Sequence, residues 1–458
     1  MKINRLLILL SFVLVPMLAT AQNWTQDTTF VPAEGDIFSD VHGVAVDGEG
    51  KIWVQPYYAT ETIIATRNGA LDTLSTRAIY IYNADGTPNE MSPLLEIEWS
   101  DDTPTDTLGV VWLEDHYEGF SGRGIEADQN GDIIISSWTR LYKVDHTTGM
   151  GMAKADVPDM CAITETTTDA ANNIYVASVC AADTPILKYD SNLENPETLI
   201  TLTGSFSRDL QVAPDGNTIF WSGYTNGAVF KYTKPDEFSG FNATPDTVLR
   251  GMRVESYDIH PVTGYLWVGS GSLNDVPAAP WTPQTWYAFD WTTLEDGVTP
   301  TPLDSIHWVP GADVSGGFDQ ARPRGLDFSA DGKTAYVSAF AAAETDVDVQ
   351  VFTTEQVFTS VEDETAELPS GFKLDQNYPN PFNPTTQIAY TVPEASNITL
   401  KVYNSLGQEV QNLFEGNRSA GRYEVTFNAS GLSSGVYYYR LEAKEAGVSL
   451  TRKLTLIK

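Results

Sequence analysis

Four basic side chains stand at the same point of a repeated sequence pattern. They are His42, Arg123, Arg208 and Arg324, and each precedes a short run that ends in a turn rich in small and polar residues. If each run is the inner strand of one repeated unit, the four side chains meet at one end of a ring of strands. Because a guanidinium fork matches oxyanions, the pattern predicts the capture of a carboxylate, sulfate or phosphate.

A second interpretation stays open for the arginines, because each could form an internal ion pair with a nearby acid. The candidate acids are Asp209, Glu255 and Asp319. Aromatic residues at the ends of the following strands either add a stacking surface for a sugar or close the cores of the units. These aromatic residues are Tyr58, Trp138, Tyr224 and Phe340, and we assign Trp138 and Tyr224 to the ligand site.

Sequence signals for catalysis or for a metal are weak. The five histidines show no metal-ligand spacing, and the best candidate for an acid or base is His116. The run from Asp128 to Asp132 has alternating oxygen ligands but lacks the later Glu of an EF-hand, so we interpret it as a hairpin turn. The chain has no glycine-rich phosphate loop, serine elbow or CxxC pair. We expect no metal site and no cofactor, with structural calcium left open.

Six copies of the repeat define the elements that must position these residues. Each copy has a strand, a tight turn, an aromatic-containing strand, and then a third and often a fourth strand. The copies begin at His42, Arg123, Ala162, Arg208, Tyr257 and Arg324. Short antiparallel strands that recur in this way are typical of the blades of a β-propeller. We therefore predict an all-β chain with a six-bladed β-propeller over residues 22–359.

The two ends of the repeat region predict how the ring closes. The last copy lacks an obvious fourth strand, and Thr28 to Val31 precedes the first copy without a partner. Pairing the N-terminal segment with the last copy would leave no open sheet edge. We expect the ring to be closed in this way.

The repeat resembles six-bladed propellers of the NHL-repeat and regucalcin/gluconolactonase kind. The lactonases hold a divalent metal with Glu and Asn or Asp near the inner strands, whereas these positions here are mostly Arg, Gly, His or Tyr. Because that metal set does not carry over, we favour a non-enzymatic binding module for an anionic small molecule or glycan. The alternative is a gluconolactonase-like or lyase-like enzyme with a divergent site.

The first 21 residues have the pattern of a secretory signal peptide. Lys2 and Arg5 precede a largely apolar stretch, and Ala19-Thr20-Ala21 matches a cleavage site. Export brings the only two cysteines, Cys161 and Cys180, into an oxidising compartment, and both fall in one predicted hairpin. We expect a disulfide between them, with two buried free thiols as the alternative.

Residues 372–458 follow an acidic linker at residues 360–371 and form a second predicted domain. Three segments carry its pattern: QNYPNPFNP at 376–384, YNSLG at 403–407 and LSSGVYYYR at 432–440. They resemble the C-terminal sorting domain of type IX secretion cargo, which is similar to the immunoglobulin-like domain of the flagellar hook-capping protein. Alternating apolar and polar residues here agree with a small Ig-like β-sandwich. The resemblance implies recognition by the type IX machinery and a secreted or surface-attached protein of a Gram-negative bacterium.

The charge of the chain limits its partners. The formal net charge is −34, and residues 22–371 contain 54 acidic but only 16 basic side chains. An acidic surface repels nucleic acid and anionic membranes at long range, so neither is an expected partner. The carboxylates are interpreted as keeping the protein hydrated in saline surroundings, with a set of calcium sites as the alternative. We expect a monomer.

Overall fold

The computed structural model divides the chain into two compact units, Met1–Ser360 and Val361–Lys458. In the first unit it describes residues 23–30, 40–67, 70–101, 103–112, 117–157, 162–179, 185–201, 207–223, 227–235, 239–271, 280–309, 321–340 and 349–356. In the second it describes residues 372–374, 377, 380, 382–393, 396–404, 408–418, 421–444, 446 and 448–457. No helix within these ranges is long and apolar enough to cross a membrane.

The structure of the first unit begins with a single short strand and a three-stranded sheet. The strand is β1 (Thr25–Asp27), and the sheet contains β2 (Val41–Val46) and β3 (Ile52–Pro56). A hairpin of β4 (Glu61–Arg67) and β5 (Ala70–Thr76) follows, and β6 (Tyr80–Tyr82) then pairs with β3. Two short pairs come next: β7 (Glu96–Ile97) with β8 (Asp106–Thr107), and β9 (Val110–Trp112) with β10 (Tyr117–Gly119).

Five four-stranded antiparallel sheets complete this unit. Four of them are formed in chain order from the first strand outward, and the last takes its outer strand from the N-terminal segment. The second contains β11 (Gly122–Ala127), β12 (Ile133–Ser137), β13 (Arg140–Val144) and β14 (Gly151–Asp156). The third contains β15 (Thr167–Thr168), β16 (Ile174–Val176), β17 (Pro185–Tyr189) and β18 (Glu197–Thr201). The fourth contains β19 (Leu210–Val212), β20 (Thr218–Gly223), β21 (Ala228–Thr233) and β22 (Asp246–Val248).

The fifth sheet contains β23 (Ser256–Ile259), β24 (Leu266–Gly269), β25 (Thr285–Phe289) and β26 (Asp304–His307), with a short 3-10 helix at Trp291–Thr293 before β26. The sixth contains β27 (Arg322–Phe328), β28 (Thr334–Phe340), β29 (Val349–Thr353) and β1. The first strands β2, β11, β15, β19, β23 and β27 are the inner strands, and we call the six sheets blades 1 to 6. The all-β, six-bladed propeller predicted from the repeats is confirmed.

The turn after the inner strand is fixed by an Asp side chain in blades 1 to 3. Oδ1 of Asp47 accepts hydrogen bonds of 2.9 Å from the N–H groups of Glu49 and Lys51. Asp128 and Asp169 accept equivalent bonds in their own turns. Because the short polar side chain satisfies turn N–H groups, Asp is favoured at this position. The predicted hairpin turn after Asp128 is therefore present.

The N-terminal strand closes the ring, as the sequence predicts, but with other residues. Thr25 pairs with Thr353 and Asp27 pairs with Val351, so β1 is the outer strand of blade 6. Thr28, Thr29 and Phe30, the described part of the strand expected at Thr28 to Val31, lie outside β1, and Asp27 accepts a 2.8 Å hydrogen bond from the Thr29 N–H just after it. Closure uses the residues immediately before that bond.

Trp24 anchors the closing strand. Its ring is buried and lies edge-on to Trp267 with the centroids 5.9 Å apart, and its Nε1 donates a 3.1 Å hydrogen bond to Asp304. Both partners belong to blade 5. The segment that closes blade 6 is therefore also joined to the core of the preceding blade.

Two stacked sheets form the second unit. Its strands are β30 (Lys373–Leu374), β31 (Thr385–Val392), β32 (Ser396–Asn404), β33 (Glu409–Arg418), β34 (Gly421–Asn428), β35 (Gly435–Ala443) and β36 (Val448–Leu456). One sheet has the order β30-β31-β34 and the other has the order β33-β32-β35-β36. They share one buried cluster that includes Tyr390, Val402, Phe427 and Tyr439. This arrangement is a small β-sandwich.

Some sequence predictions fall on residues outside the described ranges. These residues are the signal peptide at 1–21, the catalytic candidate His116, the ligand candidate Tyr224, and Cys161 with Cys180. The residues next to the cysteines do pair, because Val179 donates a 3.0 Å hydrogen bond to the Ala162 carbonyl. The disulfide itself stays a prediction.

Candidate ligand site at the propeller mouth

One residue of each blade occupies the same place at the start of the inner strand. It stands five positions before the first residue of the turn that follows the strand. The N–H of that turn residue donates a hydrogen bond to a carbonyl across the turn. We call these six residues the mouth ring. In blade order they are His42, Arg123, Thr164, Arg208, Glu255 and Arg324. The sequence identified the four basic members, whereas Thr164 and Glu255 were not assigned to the ring.

β-Bulges place three of these residues. The register of the inner strand with the second strand shifts between Val41 and Gly43, between Gly122 and Gly124, and between Pro323 and Gly325. The extra residue at each shift is His42, Arg123 or Arg324. Because a bulge residue is left out of the regular pairing, its side chain is redirected relative to the strand.

A glycine follows each of these bulge residues, and close packing of the inner strands requires it. A Cβ at Gly124 would lie 2.5 Å from Cβ of Glu165 in the next blade. A Cβ at Gly325 would lie 2.8 Å from the backbone nitrogen of Val44, also in the next blade. The repeated His-Gly and Arg-Gly pairs thus combine a redirected basic side chain with a close approach of neighbouring blades.

Glu255 neutralises part of the mouth ring. Its Oε2 lies 3.0 Å from Nη2 of Arg324, and both side chains are buried. The same oxygen lies 3.9 Å from Nε of Arg208, whose side chain is 26% exposed. For these two arginines the internal ion pair considered from the sequence is present. Asp319, another candidate acid, lies outside the described ranges.

Arg123 has a different environment, made of aromatic rings. Its Cζ lies 4.9 Å from the ring centroid of Trp138 and 5.4 Å from that of Tyr57. None of the described carboxylates forms an ion pair with it. Burial lowers the pKa of Arg123, and the nearby Tyr57 partly opposes this effect. Arg123 is therefore the cation of the ring that lacks a counter-ion in the described part of the chain.

Trp138 positions Arg123. It has a φ of 56°, which is rare for a bulky residue, and its ring stacks on Phe120 with the centroids 5.4 Å apart. The Trp138 ring, which the sequence analysis assigned to ligand binding, therefore contacts Phe120 and Arg123. Tyr58 is 56% exposed and is the most open to solvent of the three aromatic candidates that the structure describes.

His42 is held in its neutral form. It is buried between Tyr57, at a centroid distance of 4.8 Å, and Phe340, at 5.4 Å. Burial lowers its pKa well below the usual value, and the positive charges of Arg324 and Arg123 lower it further. At neutral pH it can offer a hydrogen bond to a ligand but no charge.

Between the mouth ring and the turns, five carboxylates lie in the inner strands or just before them. The members of this set are Glu126, Glu165, Asp209, Asp258 and Asp327. Burial raises the pKa of every member, and for Asp209 and Asp327 the value is about 7. A raised pKa favours the neutral acid, which reduces the negative charge under the mouth.

A cavity of about 690 Å³ lies at the turn end of the inner strands. Glu126, Asp258 and Asp327 line it together with Gln211 and His260. Burial lowers the pKa of His260 to about 4, so its imidazole is neutral at pH 7. Among the residues with a described position, no three His, Cys, Asp or Glu side chains are arranged to hold a metal ion.

The comparison with family models concerns the second unit. The family model for the secretion system C-terminal sorting domain matches residues 376–457. The second unit is a sorting domain. It marks the protein for export by type IX secretion, so the protein is secreted or displayed on the cell surface, and the secretion machinery is its partner.

Solved structures similar to this chain are remote. PorZ, a surface component of the type IX secretion system of Porphyromonas gingivalis, has 11% identity and a TM-score of 0.37, with 95% of this chain covered. This chain spans 61% of the length of PorZ. The Dos1 propeller has 13% identity and a TM-score of 0.40, with 74% of this chain and 97% of that chain covered.

Regucalcin from Agrobacterium tumefaciens, a calcium-binding protein, has 11% identity and a TM-score of 0.42, with 71% of this chain and 95% of that chain covered. No curated protein sequence matches the chain. The activities of these proteins do not transfer to this chain at this level of similarity.

Proposed function

We propose that the propeller is a non-enzymatic binding module that captures an anionic small molecule or acidic glycan at its mouth. The observation that supports this most is the charge balance of the mouth ring. Three guanidinium groups occupy the ring with one carboxylate, Glu255, which contacts two of them. The remaining arginine, Arg123, is half-buried against aromatic rings. A half-buried cation that forms no ion pair with a described carboxylate favours the binding of an anion.

The clustering of arginines at the mouth is unusual in so acidic a chain. The chain has only 27 basic residues against 61 acidic ones, yet three arginines gather at one blade position. Glu255 forms an ion pair with Arg324 and lies 3.9 Å from Arg208, whereas no described carboxylate forms an ion pair with Arg123. Because the surrounding body is acidic, recognition of an anion depends on these short-range contacts at the mouth.

A ligand panel tests the proposal. Galacturonate, sulfated galactose and galactose phosphate are titrated by calorimetry into the wild type and into an Arg123→Gln, Arg208→Gln double variant. We expect at least one anion to bind the wild type and to bind the double variant at least about tenfold more weakly. Added salt should weaken wild-type binding, because exposed charges are screened.

Arg250→Gln is the control for the loss of a positive charge outside the mouth ring. Arg250 is exposed and pairs with Asp296, so this variant removes one positive charge without changing the mouth ring. Its binding should equal that of the wild type. The proposal is wrong if no anion binds the wild type, or if the double variant binds as tightly as the control. Turnover of a sugar lactone in the same panel would instead favour the gluconolactonase-like alternative.

A further inference from the structure

We infer that the ligand is an acidic glycan, whose carboxylate binds Arg123 while an adjoining sugar lies on the exposed ring of Tyr58. This inference rests on the proposed anion site and narrows it to one part of the mouth and one chemical class. Its structural basis is the row formed by Arg123, Tyr57 and Tyr58.

The three arginines of the mouth ring differ in their contacts with carboxylates. Glu255 holds Arg324 at 3.0 Å and lies 3.9 Å from Arg208, so a ligand at either arginine competes with an existing carboxylate. Arg123 offers a guanidinium that no described carboxylate engages. An incoming anion therefore displaces no described ion pair if it binds at Arg123.

The environment of Arg123 favours a singly charged, planar group. Trp138 and Tyr57 lie 4.9 Å and 5.4 Å from its Cζ and restrict the orientation of the guanidinium. A restricted guanidinium presents its N–H groups in one plane, which suits the two oxygens of a carboxylate. His42 is neutral at pH 7, so it adds no second charge for a doubly charged phosphate.

Tyr58 extends this site away from the mouth ring. Its centroid lies 4.8 Å from that of Tyr57 with the rings nearly perpendicular, and its side chain is 56% exposed. Arg123 contacts the other member of this pair, Tyr57, so the guanidinium and the Tyr58 ring lie within about 10 Å of each other. Neighbouring residues of a glycan chain can span this separation.

The other mouth aromatics are less suited to this role. Trp138 already contacts Arg123 and Phe120, and Phe340 contacts His42 and Arg324. Tyr58 combines an exposed aromatic face with a position next to the carboxylate-binding arginine. An aromatic face with one side in solvent is a suitable surface for the C–H groups of a sugar ring.

The experiment compares two probes, trigalacturonate and monomeric galacturonate, by calorimetry at low salt. We expect Arg123→Gln to weaken binding of both probes at least about tenfold, because both lose the guanidinium contact. We expect Tyr58→Ala to weaken trigalacturonate about tenfold and galacturonate less than about twofold, because only the longer probe reaches Tyr58. Tyr58→Phe keeps the ring and should bind both probes as the wild type does.

Arg123→Lys gives a second variant that keeps the charge but loses the fork. It should bind trigalacturonate more weakly than the wild type while its melting temperature stays the same. Arg250→Gln again controls for the loss of a positive charge outside the mouth ring.

The results separate this inference from the broader proposal. Binding of sulfated or phosphorylated galactose without binding of either galacturonate probe overturns the inference and leaves the anion site standing. The inference also fails if trigalacturonate binds Tyr58→Ala as tightly as the wild type. If no probe binds the wild type at all, both statements are wrong.

Discussion

Oε2 of Glu255 lies 3.0 Å from Nη2 of Arg324, and this ion pair joins blade 5 to blade 6 inside the mouth. Removal of one member of a buried pair leaves the other charge without compensation. We expect Glu255→Gln to lower the free energy of unfolding by about 3 kcal/mol or more. Urea denaturation followed by tryptophan fluorescence measures the change.

Two further variants check the cause of this loss. Arg208→Gln should cost much less, because its side chain is 26% exposed and its Nε lies 3.9 Å from the carboxylate. The Glu255→Gln, Arg324→Gln double variant should recover part of the stability lost in Glu255→Gln, since neither charge then remains buried. Equal stability of Glu255→Gln and the wild type would contradict the structural role of the pair.

Trp24 joins the strand that closes the ring to the core of blade 5. We expect Trp24→Ala to lower the free energy of unfolding by about 3–5 kcal/mol, because it removes a buried ring packed against Trp267 and the hydrogen bond to Asp304. Calorimetry of the isolated protein measures the change. Val298→Ala, at a side chain that is 51% exposed, is the control and should have almost no effect. An unchanged melting temperature in Trp24→Ala would show that the strand does not hold the ring closed.

The buried carboxylates predict an unusual dependence of stability on pH. Burial raises the pKa of Asp327 to about 7 from an ordinary value of 3.8. Between these values the folded protein binds a proton that the unfolded chain does not, so this group makes stability fall as pH rises from about 4 to about 7. Asp327→Asn removes that contribution. The melting temperature of the variant, relative to the wild type, should therefore rise by a few degrees between pH 5 and pH 8.

Asp331 supplies the matched control for this measurement. Hydrogen bonds from the Ser329 hydroxyl and the Lys333 N–H lower its pKa below the ordinary value. Its contribution is therefore present above the ordinary pKa and is lost only as pH falls through more acidic values. The difference between Asp331→Asn and the wild type should stay constant from pH 5 to pH 8. The same constancy for Asp327→Asn would rule out the raised pKa.

Removal of the sorting domain should change where the protein is found in the cell. The two units are compact by themselves, and the family match lies within the second, at residues 376–457. Without residues 361–458 we expect the propeller to fold but to accumulate in the periplasm of the native host. Cell fractionation with the full-length protein as the control measures this. Normal surface display of the truncated protein would count against recognition through this domain.

The sequence predicted the blades because their turns have local chemical signatures. Asp47, Asp128 and Asp169 each satisfy turn N–H groups, and this requirement is visible as a repeated residue type. The basic positions of the mouth ring follow from a constant distance to the turn. Counting back five positions from the turn residue His260 gives Glu255. Glu255 was not assigned to the mouth ring because the fifth copy of the repeat was taken to begin at Tyr257.

The interactions between blades could not be predicted in the same way. The bulges at Arg123 and Arg324 depend on how the inner strand is paired with its neighbour, which no local pattern records. The left-handed backbone of Trp138 has no signal in its residue type, because bulky residues rarely adopt it. The contrast between a paired Arg324 and an aromatic-bound Arg123 therefore emerges only in three dimensions.

The bulges also affect how readily this propeller can acquire a new specificity. His42 and Arg123 are the extra residues at their register shifts, so changing either side chain leaves every partner of the strand ladder in place. The following glycines, Gly43 and Gly124, meet the steric limit set by the next blade. Variation during evolution, or mutagenesis in the laboratory, can therefore exchange these two residues of the mouth ring one at a time while the same scaffold is retained.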